Sequence, residues 1–332
     1  MPQFSLEQAH ALVVETLVRC NTSEQNAGLV AEALIAAEKA GQGGHGMRRV
    51  TSYAGQAASG KVDGQAVPKA EKVAAATLKV DAANGFAYPA LALVHEQLPN
   101  MTRECGIAIA GLSRSHHCGV AGVIVEKFAE QGLVAMMFAN TPAAMAPWGG
   151  NTAVFGTNPI AFAAPRGAGA PIVVDVSLSK VARGKIMAAK QKGDPIGEGW
   201  ALDADGQPTT DATEALKGTM VPLGDAKGTA LALMVELMAA GLTGANYADE
   251  ASSFFDADGP PPGVGQSIIA IDPEKFGGAA IIEHFAALAN RIDSQTGARV
   301  PGARRREIAQ KIEEDGIVID DDLLAQIEEV GR

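Results

Sequence analysis

Cysteine is scarce in this 332-residue chain: Cys20, Cys105 and Cys118 are scattered and show no CxxC spacing. A secreted disulfide framework and a structural zinc site are therefore not expected, and a reducing cytoplasm fits. Positive charge is also short, with 27 Lys and Arg against 38 Asp and Glu and a net charge of -11. That balance repels nucleic acid and anionic membrane surfaces. No hydrophobic run is long enough to span a bilayer. The most apolar stretch, 229–245, is interrupted by Glu236 and falls short of roughly 20 residues, so it reads as a buried helix. The opening Met1-Pro2-Gln3-Phe4 has no basic n-region, and Glu7, Gln8 and His10 follow, so no signal peptide is expected. What the chain does have is ordinary globular usage, 47% hydrophobic and 20% charged, which excludes disorder and fibrous repeats. At roughly 100–200 residues per domain, the length suggests two or three structural units.

Ser5-Leu6-Glu7-Gln8 and Thr22-Ser23-Glu24-Gln25 each place a hydroxyl three positions before Gln, the reciprocal capping pattern that starts a helix. Apolar residues then recur at helical spacing, predicting an N-terminal helical unit to about residue 70. Short apolar runs at 78–81, 107–112, 133–139, 160–164 and 172–176, bounded by Gly, Pro, Asn or Asp, read as buried strands. Helical patterns at 90–103, 119–131, 180–191 and 228–242 separate some of them. A late strand at 267–271, a helix over 273–292 and closing helices at 304–314 and 320–329 follow. The class is mixed α and β, with strand order unreadable.

Gly41-Gln42-Gly43-Gly44-His45-Gly46 matches G-x-G-x-x-G literally, but it follows a helix and lacks the strand–turn–helix context of a dinucleotide site. Its interest lies in a histidine between glycines with Arg48 and Arg49 beyond. An imidazolium can give a proton and a guanidinium fork can grip a carboxylate; a solvated basic loop is the alternative. Ser115-His116-His117-Cys118-Gly119 sits between a strand and a helix, which suits ligand contacts. Adjacent side chains on an extended segment point apart and no carboxylate pair is near, so neither a metal site nor a Cys-His hydrolase is expected there. Asp203-Ala204-Asp205-Gly206 and Asp256-Ala257-Asp258-Gly259 echo each other without the spacing of a calcium loop. Gly149-Gly150-Asn151 and Gly156-Thr157-Asn158-Pro159 read, by spacing alone, as two surface hairpin loops. Asp175-Val176-Ser177 with Lys180, Arg183 and Lys185, and Lys227 at the next helix start, are places where ribose or phosphate can be gripped.

Taken in order, Gly43-Gly44-His45-Gly46-Met47-Arg48-Arg49, Ser115-His116-His117-Cys118-Gly119, Ala146-Pro147-Trp148-Gly149-Gly150, Gly156-Thr157-Asn158-Pro159 and Lys227-Gly228 resemble the malate/L-lactate dehydrogenase family of the second type, almost end to end. The resemblance implies an α+β fold of non-Rossmann type. A helical domain would be built from both chain termini, 1–75 with 296–332, around a central NAD(P)-binding domain, 76–295. It further implies a homodimer acting on a small-molecule substrate with NADPH, or NADH in its place. By the same resemblance His45 falls on the proton donor and Arg49, not Arg48, on the arginine for the substrate carboxylate. His117-Cys118-Gly119-Val120-Ala121, Asp175-Val176-Ser177, Ala226-Lys227 and Arg299-Val300-Pro301-Gly302-Ala303-Arg304-Arg305 fall on segments lining the cofactor. Thr157, Arg183 and Gly184 fall near substrate. Family members usually carry Ser before the histidine, where this chain has Gly44, so water or another hydroxyl is expected to orient His45.

The reaction implied is hydride addition to C2 of a 2-oxo or 2-imino acid, with His45 protonating oxygen or nitrogen and Arg49 fixing the carboxylate. Gly44-His45-Gly46 with Arg49, Ser52-Tyr53-Ala54 and Ser59-Gly60-Lys61-Val62 is most similar to the cyclic ketimine reductases that form L-proline or L-pipecolate. A 2-hydroxy acid dehydrogenase of malate, lactate, sulfolactate or ureidoglycolate type is the alternative. A non-catalytic NAD(P)-binding protein is the other, prompted by Gly44.

Overall fold

A computed structural model describes residues 2–332. The chain opens with β1 (Gln3–Phe4), α1 (Leu6–Arg19), α2 (Glu24–Lys39) and α3 (Val50–Ser59), with two 3₁₀ turns, Gly43–His45 and Met47–Arg49, before α3. Next come β2 (Lys69–Ala74), β3 (Thr77–Asp81), α4 (Ala87–Cys105), β4 (Ile107–Ser115), α5 (Ala121–Ala129), β5 (Val134–Ala139), β6 (Ile160–Arg166) and β7 (Gly169–Val176). They are followed by α6 (Arg183–Lys192), β8 (Ala201–Leu202), β9 (Pro208–Thr209), α7 (Ala212–Lys217), β10 (Thr219–Met220) and α8 (Ala226–Glu236), which runs into a π turn, Leu237–Gly241. The chain closes with β11 (Val264–Ile271), α9 (Glu274–Gly277), α10 (Ala280–Asp293), α11 (Ala303–Asp315), β12 (Ile317–Val318) and α12 (Asp321–Glu329).

The main sheet has seven strands in the order β2-β3-β4-β11-β5-β6-β7, and only β3 and β4 pair in parallel. This is not a doubly wound parallel sheet, so the glycine motif at 41–46 has no strand to follow; it forms the 3₁₀ turn after α2. β11 enters late yet lies at the centre, and its near-continuous burial explains its unbroken apolar character. α4 lies against β4, and α5 against β5 and β6, completing a core that includes Leu78, Leu98, Phe128 and Met137. Both chain ends join this core. β1 pairs with β12, Ile317 and Ile327 are buried, and Arg19 on α1 donates to the carbonyls of Ile327 and Val330. A second core, with Phe138, Met145, Phe155, Ile186 and Val235, sits under α6, α8 and the small sheet β10-β8-β9.

The structure corrects several local expectations. The first capping box forms as read, on Ser5 and Gln8, but the second helix is capped one residue later, by Ser23 on the Asn26 amide. The strand β2 was not anticipated, because its residues are mostly exposed and carry no apolar alternation. The 273–292 helix breaks into α9 and α10 at Gly278, whose φ of 64° a helix cannot continue through. The stretch at 229–245 is not a buried helix. Gly228, Ala232, Val235, Glu236 and Ala239 face inward, while Leu231, Leu233, Met234, Leu237 and Leu242 are 41%, 48%, 40%, 52% and 61% exposed. A helix that is apolar all round shows which face is buried only once its neighbours are known.

Candidate active site

The turn after α2 is fixed by an acid. The Glu38 carboxylate accepts the Met47 amide at 2.7 Å, and burial pushes its pKa up. A Cβ on Gly46 would collide with the Glu38 side chain, so any larger residue there would have to displace it. The tight path places His45 and Arg49 on one side and leaves Arg48 exposed, 3.5 Å from Asp320. Arg48 is thus the solvated residue of the motif, and Arg49, only 8% exposed, is not.

His45 meets the Ser-His-His segment at the end of β4. Its Nδ1 is 3.0 Å from Nε2 of His117, with the two rings stacked 5.0 Å apart. His117 Nδ1 lies 2.5 Å from the Tyr53 hydroxyl on α3, which lies 3.1 Å from the Tyr88 hydroxyl on α4. His116 turns the other way and donates Nε2–H to Gln56 Oε1 at 2.9 Å. Within the chain, the His45 ring is oriented by the His117 imidazole. The Arg49 Nε donates to the Gly44 carbonyl at 3.0 Å, its guanidinium lies 4.5 Å over the Phe255 ring, and its Nη1 is buried without a partner. Phe254 packs on both His116 and His117 at 5.2 and 5.3 Å. The loop carrying both phenylalanines is pinned by Lys61, whose ammonium donates to the carbonyls of Ser253, Asp256 and Asp258.

Burial keeps this cluster uncharged apart from Arg49. Desolvation, aided by the Arg49 charge, lowers His45 to about 4, and burial takes His116 to about 3 and His117 well below its ordinary value. Tyr53 is pushed up to about 12, Tyr88 well above 10, and Cys118 to about 12, each mainly by burial. At neutral pH the site is a neutral proton-carrying group beside one desolvated cation that lacks its anion.

A second group adjoins the first through 117–122. Asp175, at the end of β7, accepts the Gly122 amide at the start of α5 at 2.8 Å, and its charge helps raise the Cys118 pKa. Arg305 pairs with Glu126 at 2.7 Å and keeps buried Nε and Nη1 without acceptors. Gly302, at φ 90°, lies against Val173, whose amide donates to the Pro301 carbonyl at 3.4 Å. Val300 is buried and Ala303 half-buried, while Val176, Arg299 and Arg304 are exposed and Ser177 turns its hydroxyl to Ser179. Orphaned Arg305 donors beside Gly122, where a Cβ would lie 3.0 Å from Arg305 and Asp175, suit the oxygens of a dinucleotide. The residues fit the expected cofactor.

A third set stays apart. Among the described residues, no hydrogen bond, ion pair or ring contact joins Thr157, Arg183, Gly184, Ala226 or Lys227 to the His45 cluster. Arg183 begins α6 with its charge desolvated and no carboxylate beside it. The surface-hairpin reading fails for Gly156-Thr157-Asn158-Pro159. Asn158 is fully buried at φ 40° and donates to Glu236 Oε2 at 2.6 Å and to the Ala232 carbonyl. Glu236 also accepts the Asn140 amide group and the Ala248 amide. The segment before it makes only an isolated bridge, Met145 to Phe155, and no strand. Roles for Tyr88, Phe254, Phe255, Asn140 and Glu236 were not foreseen; the acid interrupting an apolar run was the one signal, and it marks a buried junction.

A neutral histidine beside a buried arginine with an unengaged nitrogen is an arrangement suited to proton transfer on a carboxylate. Residues 4–328 match the family model described as malate/L-lactate dehydrogenase. The chain is 48% identical to the (2R)-3-sulfolactate dehydrogenase (NADP(+)) of Chromohalobacter salexigens, over 96% of each chain. It is 39% identical to the Δ1-pyrroline-2-carboxylate/Δ1-piperideine-2-carboxylate reductase of Pseudomonas putida, over 97% of this chain and 95% of that one. The solved Δ1-piperideine-2-carboxylate reductase from Pseudomonas syringae superposes with a TM-score of 0.94 at 39% identity, covering 99% of this chain and all, 100%, of that one. The chain belongs to the malate/L-lactate dehydrogenase family and is an NAD(P)-dependent oxidoreductase.

Proposed function

We propose that the enzyme reduces a small cyclic 2-imino carboxylate, Δ1-pyrroline-2-carboxylate or Δ1-piperideine-2-carboxylate, at C2. The observation that carries this reading is the make-up of the His45 cluster. It offers one unengaged guanidinium nitrogen, an aromatic wall of Phe254 and Phe255, and histidines held neutral. One cation against an apolar wall suits a monoanion with a hydrocarbon ring. A cyclic imine enters carrying its own proton, so a standing imidazolium is not needed. Arg49 binds the carboxylate and His45 holds the ring nitrogen. Thr157, Arg183 and Gly184, which make no hydrogen bond, ion pair or ring contact with this cluster among the described residues, are assigned to the substrate side by the family resemblance. The dinucleotide, NADPH by preference, supplies the hydride when bound, and is held by His117–Ala121, Asp175–Ser177, Ala226–Lys227 and Arg299–Arg305.

The same reading assigns 76–295 to cofactor binding and unites 1–75 with 296–332 as the helical unit. It takes the exposed face of Leu231, Met234, Leu237 and Leu242 as the contact of a homodimer in the cytoplasm, supported by the size of that apolar face. No helix is long and apolar enough to cross a membrane among the described residues.

A 2-hydroxy acid dehydrogenase is the second reading. The 48% identical sulfolactate dehydrogenase and the unpaired, desolvated Arg183, which could take a second anionic group, favour it. There the neutral His45 would accept the hydroxyl proton as base. Following absorbance at 340 nm with NADPH and NADH on both cyclic imines, 3-sulfopyruvate, pyruvate and oxaloacetate decides between them. We expect kcat/KM at least about tenfold higher for an imine with NADPH. Preference for 3-sulfopyruvate establishes the second reading, and no turnover of any acid leaves a binding protein.

A further inference from the structure

His45, His117, Tyr53 and Tyr88 stand in one unbroken line, with successive polar atoms 3.0, 2.5 and 3.1 Å apart. The line starts at the substrate side of His45 and ends on the far side of the cluster. Tyr88 is also a wall of a cavity of about 90 Å³ between α2, α4 and α5, shared with His95 and Cys118 and rimmed by Glu32 and Lys127. Both rim residues are exposed, so the cavity reaches the surface. A single water needs only roughly 10–15 Å³, so several fit beside polar groups that can bind them.

We propose that Tyr53 and Tyr88 are relay residues that connect His45 to bulk solvent through this cavity, on the side away from the bound substrate. The inference rests on the reading that His45 exchanges a proton with substrate. Reduction of a 2-oxo acid, or of an imine that enters neutral, consumes one proton per turnover in a site that must exclude water around the hydride acceptor, and a rear path supplies it without opening the front.

The transfer balances if every hydrogen bond points the same way. His45 gives its Nε2 proton to the substrate and gains one on Nδ1 from His117 Nε2. His117 gains one on Nδ1 from the Tyr53 hydroxyl, Tyr53 from Tyr88, and Tyr88 from a cavity water that takes its proton back from bulk solvent. Each imidazole changes tautomer, each phenol breaks one O–H bond and forms another, and no member stays charged. The pKa directions agree with a neutral wire, since burial disfavours imidazolium and phenolate alike. His95, in the cavity wall, is likewise neutral, lowered to about 4, and donates to the Ile124 carbonyl at 3.0 Å.

The test uses Tyr53→Phe and Tyr88→Phe in the full-length enzyme, isosteric changes that remove only the relay oxygen. With a 2-oxo acid that the wild type reduces, we expect kcat to fall about 10–100-fold in each variant, and less with a cyclic imine, which brings its own proton. KM and NADPH affinity should stay within about twofold. The solvent isotope effect should change from a curved, several-proton inventory in mixed H₂O and D₂O to a linear one. An unchanged kcat in both variants, or a loss with the inventory still curved, overturns the relay. A second readout needs no turnover: ¹⁵N-histidine spectra of the wild type should show His117 protonated on Nε2. A proton on Nδ1, facing Tyr53, reverses the line and overturns the proposal. A wild type that turns over nothing would sink the functional reading alone.

Discussion

The region around His45 and the region around α6 and α8 are finished in opposite ways. Around His45 both nitrogens of His117, the Tyr53 and Tyr88 hydroxyls, Nε2 of His116 and all three protons of Lys61 have partners within the chain. Arg49 Nη1 and His116 Nδ1 are the buried nitrogens there left without one among the described residues. Around α6 and α8, Arg183 begins one helix with no acid beside it, and Leu231, Met234, Leu237 and Leu242 face outward from the other. The first region satisfies most of its polar groups within the chain, whereas the second leaves a desolvated cation and an apolar face uncovered.

The largest break in that contrast should come from the arginine that lacks its anion. Arg49→Lys should raise the KM for the carboxylate substrate by about 10²–10³, because an ammonium cannot reproduce a bidentate fork or lie flat on Phe255. Arg48→Lys, exposed on the same turn, should stay within about twofold. Equal behaviour in steady-state assays would move the carboxylate grip to another residue.

Next in size is the junction between the two regions. Glu236→Ala leaves the Ala248 amide without its acceptor and takes one acceptor from each of Asn140 and Asn158, whose amides keep the Asn246 and Ala232 carbonyls, and should cost on the order of 2 kcal/mol in urea unfolding. A cost below about 1 kcal/mol would mean that the junction is held by packing alone.

The unfinished region is sharpened by Leu237→Asp. Sedimentation should show a dimer for the wild type and at least about tenfold weaker association for the variant, with unchanged circular dichroism. A monomeric wild type removes the dimer reading.

The smallest effect is in pH. Lowered histidine pKa values mean that the unfolded chain binds protons the folded one refuses. Stability from His45, His95 and His116 is therefore full above about pH 6.5 and falls as pH drops toward about 4. Glu38, Asp175 and Glu236, with raised pKa values, oppose this trend in the acid range. His95→Gln should flatten the acid limb of a Tm–pH curve by up to one proton; an unchanged slope would mean that His95 titrates normally.

Features carried by neighbours in sequence were legible. The Ser5 cap, the buried strands and the His45–Arg49 turn each announce themselves within a few residues. The identity of the scaffold came from motif order, not from periodicity. What escaped depends on distant partners. Tyr53 reaches a histidine 64 positions away and Asn158 an acid 78 positions away, and the inward face of α8 is set by elements that surround it. β2 escaped because an exposed edge strand needs no apolar pattern. Beside Gly44, where the family carries serine, His45 meets an imidazole 72 positions away, just after β4.

The central claim is that His45 acts at the substrate's reacting atom, protonating a carbonyl oxygen or holding an imine nitrogen, and does not bind the cofactor. His45→Ala, assayed with the accepted substrate and titrated with NADPH by fluorescence, tests it most directly. The account predicts a kcat loss of about 10²–10⁴ with cofactor affinity nearly unchanged, and a larger loss for any 2-oxo acid than for a cyclic imine. A loss no larger for the oxo acid, or a kcat within about threefold of wild type, would contradict it and leave His45 as a positioning residue.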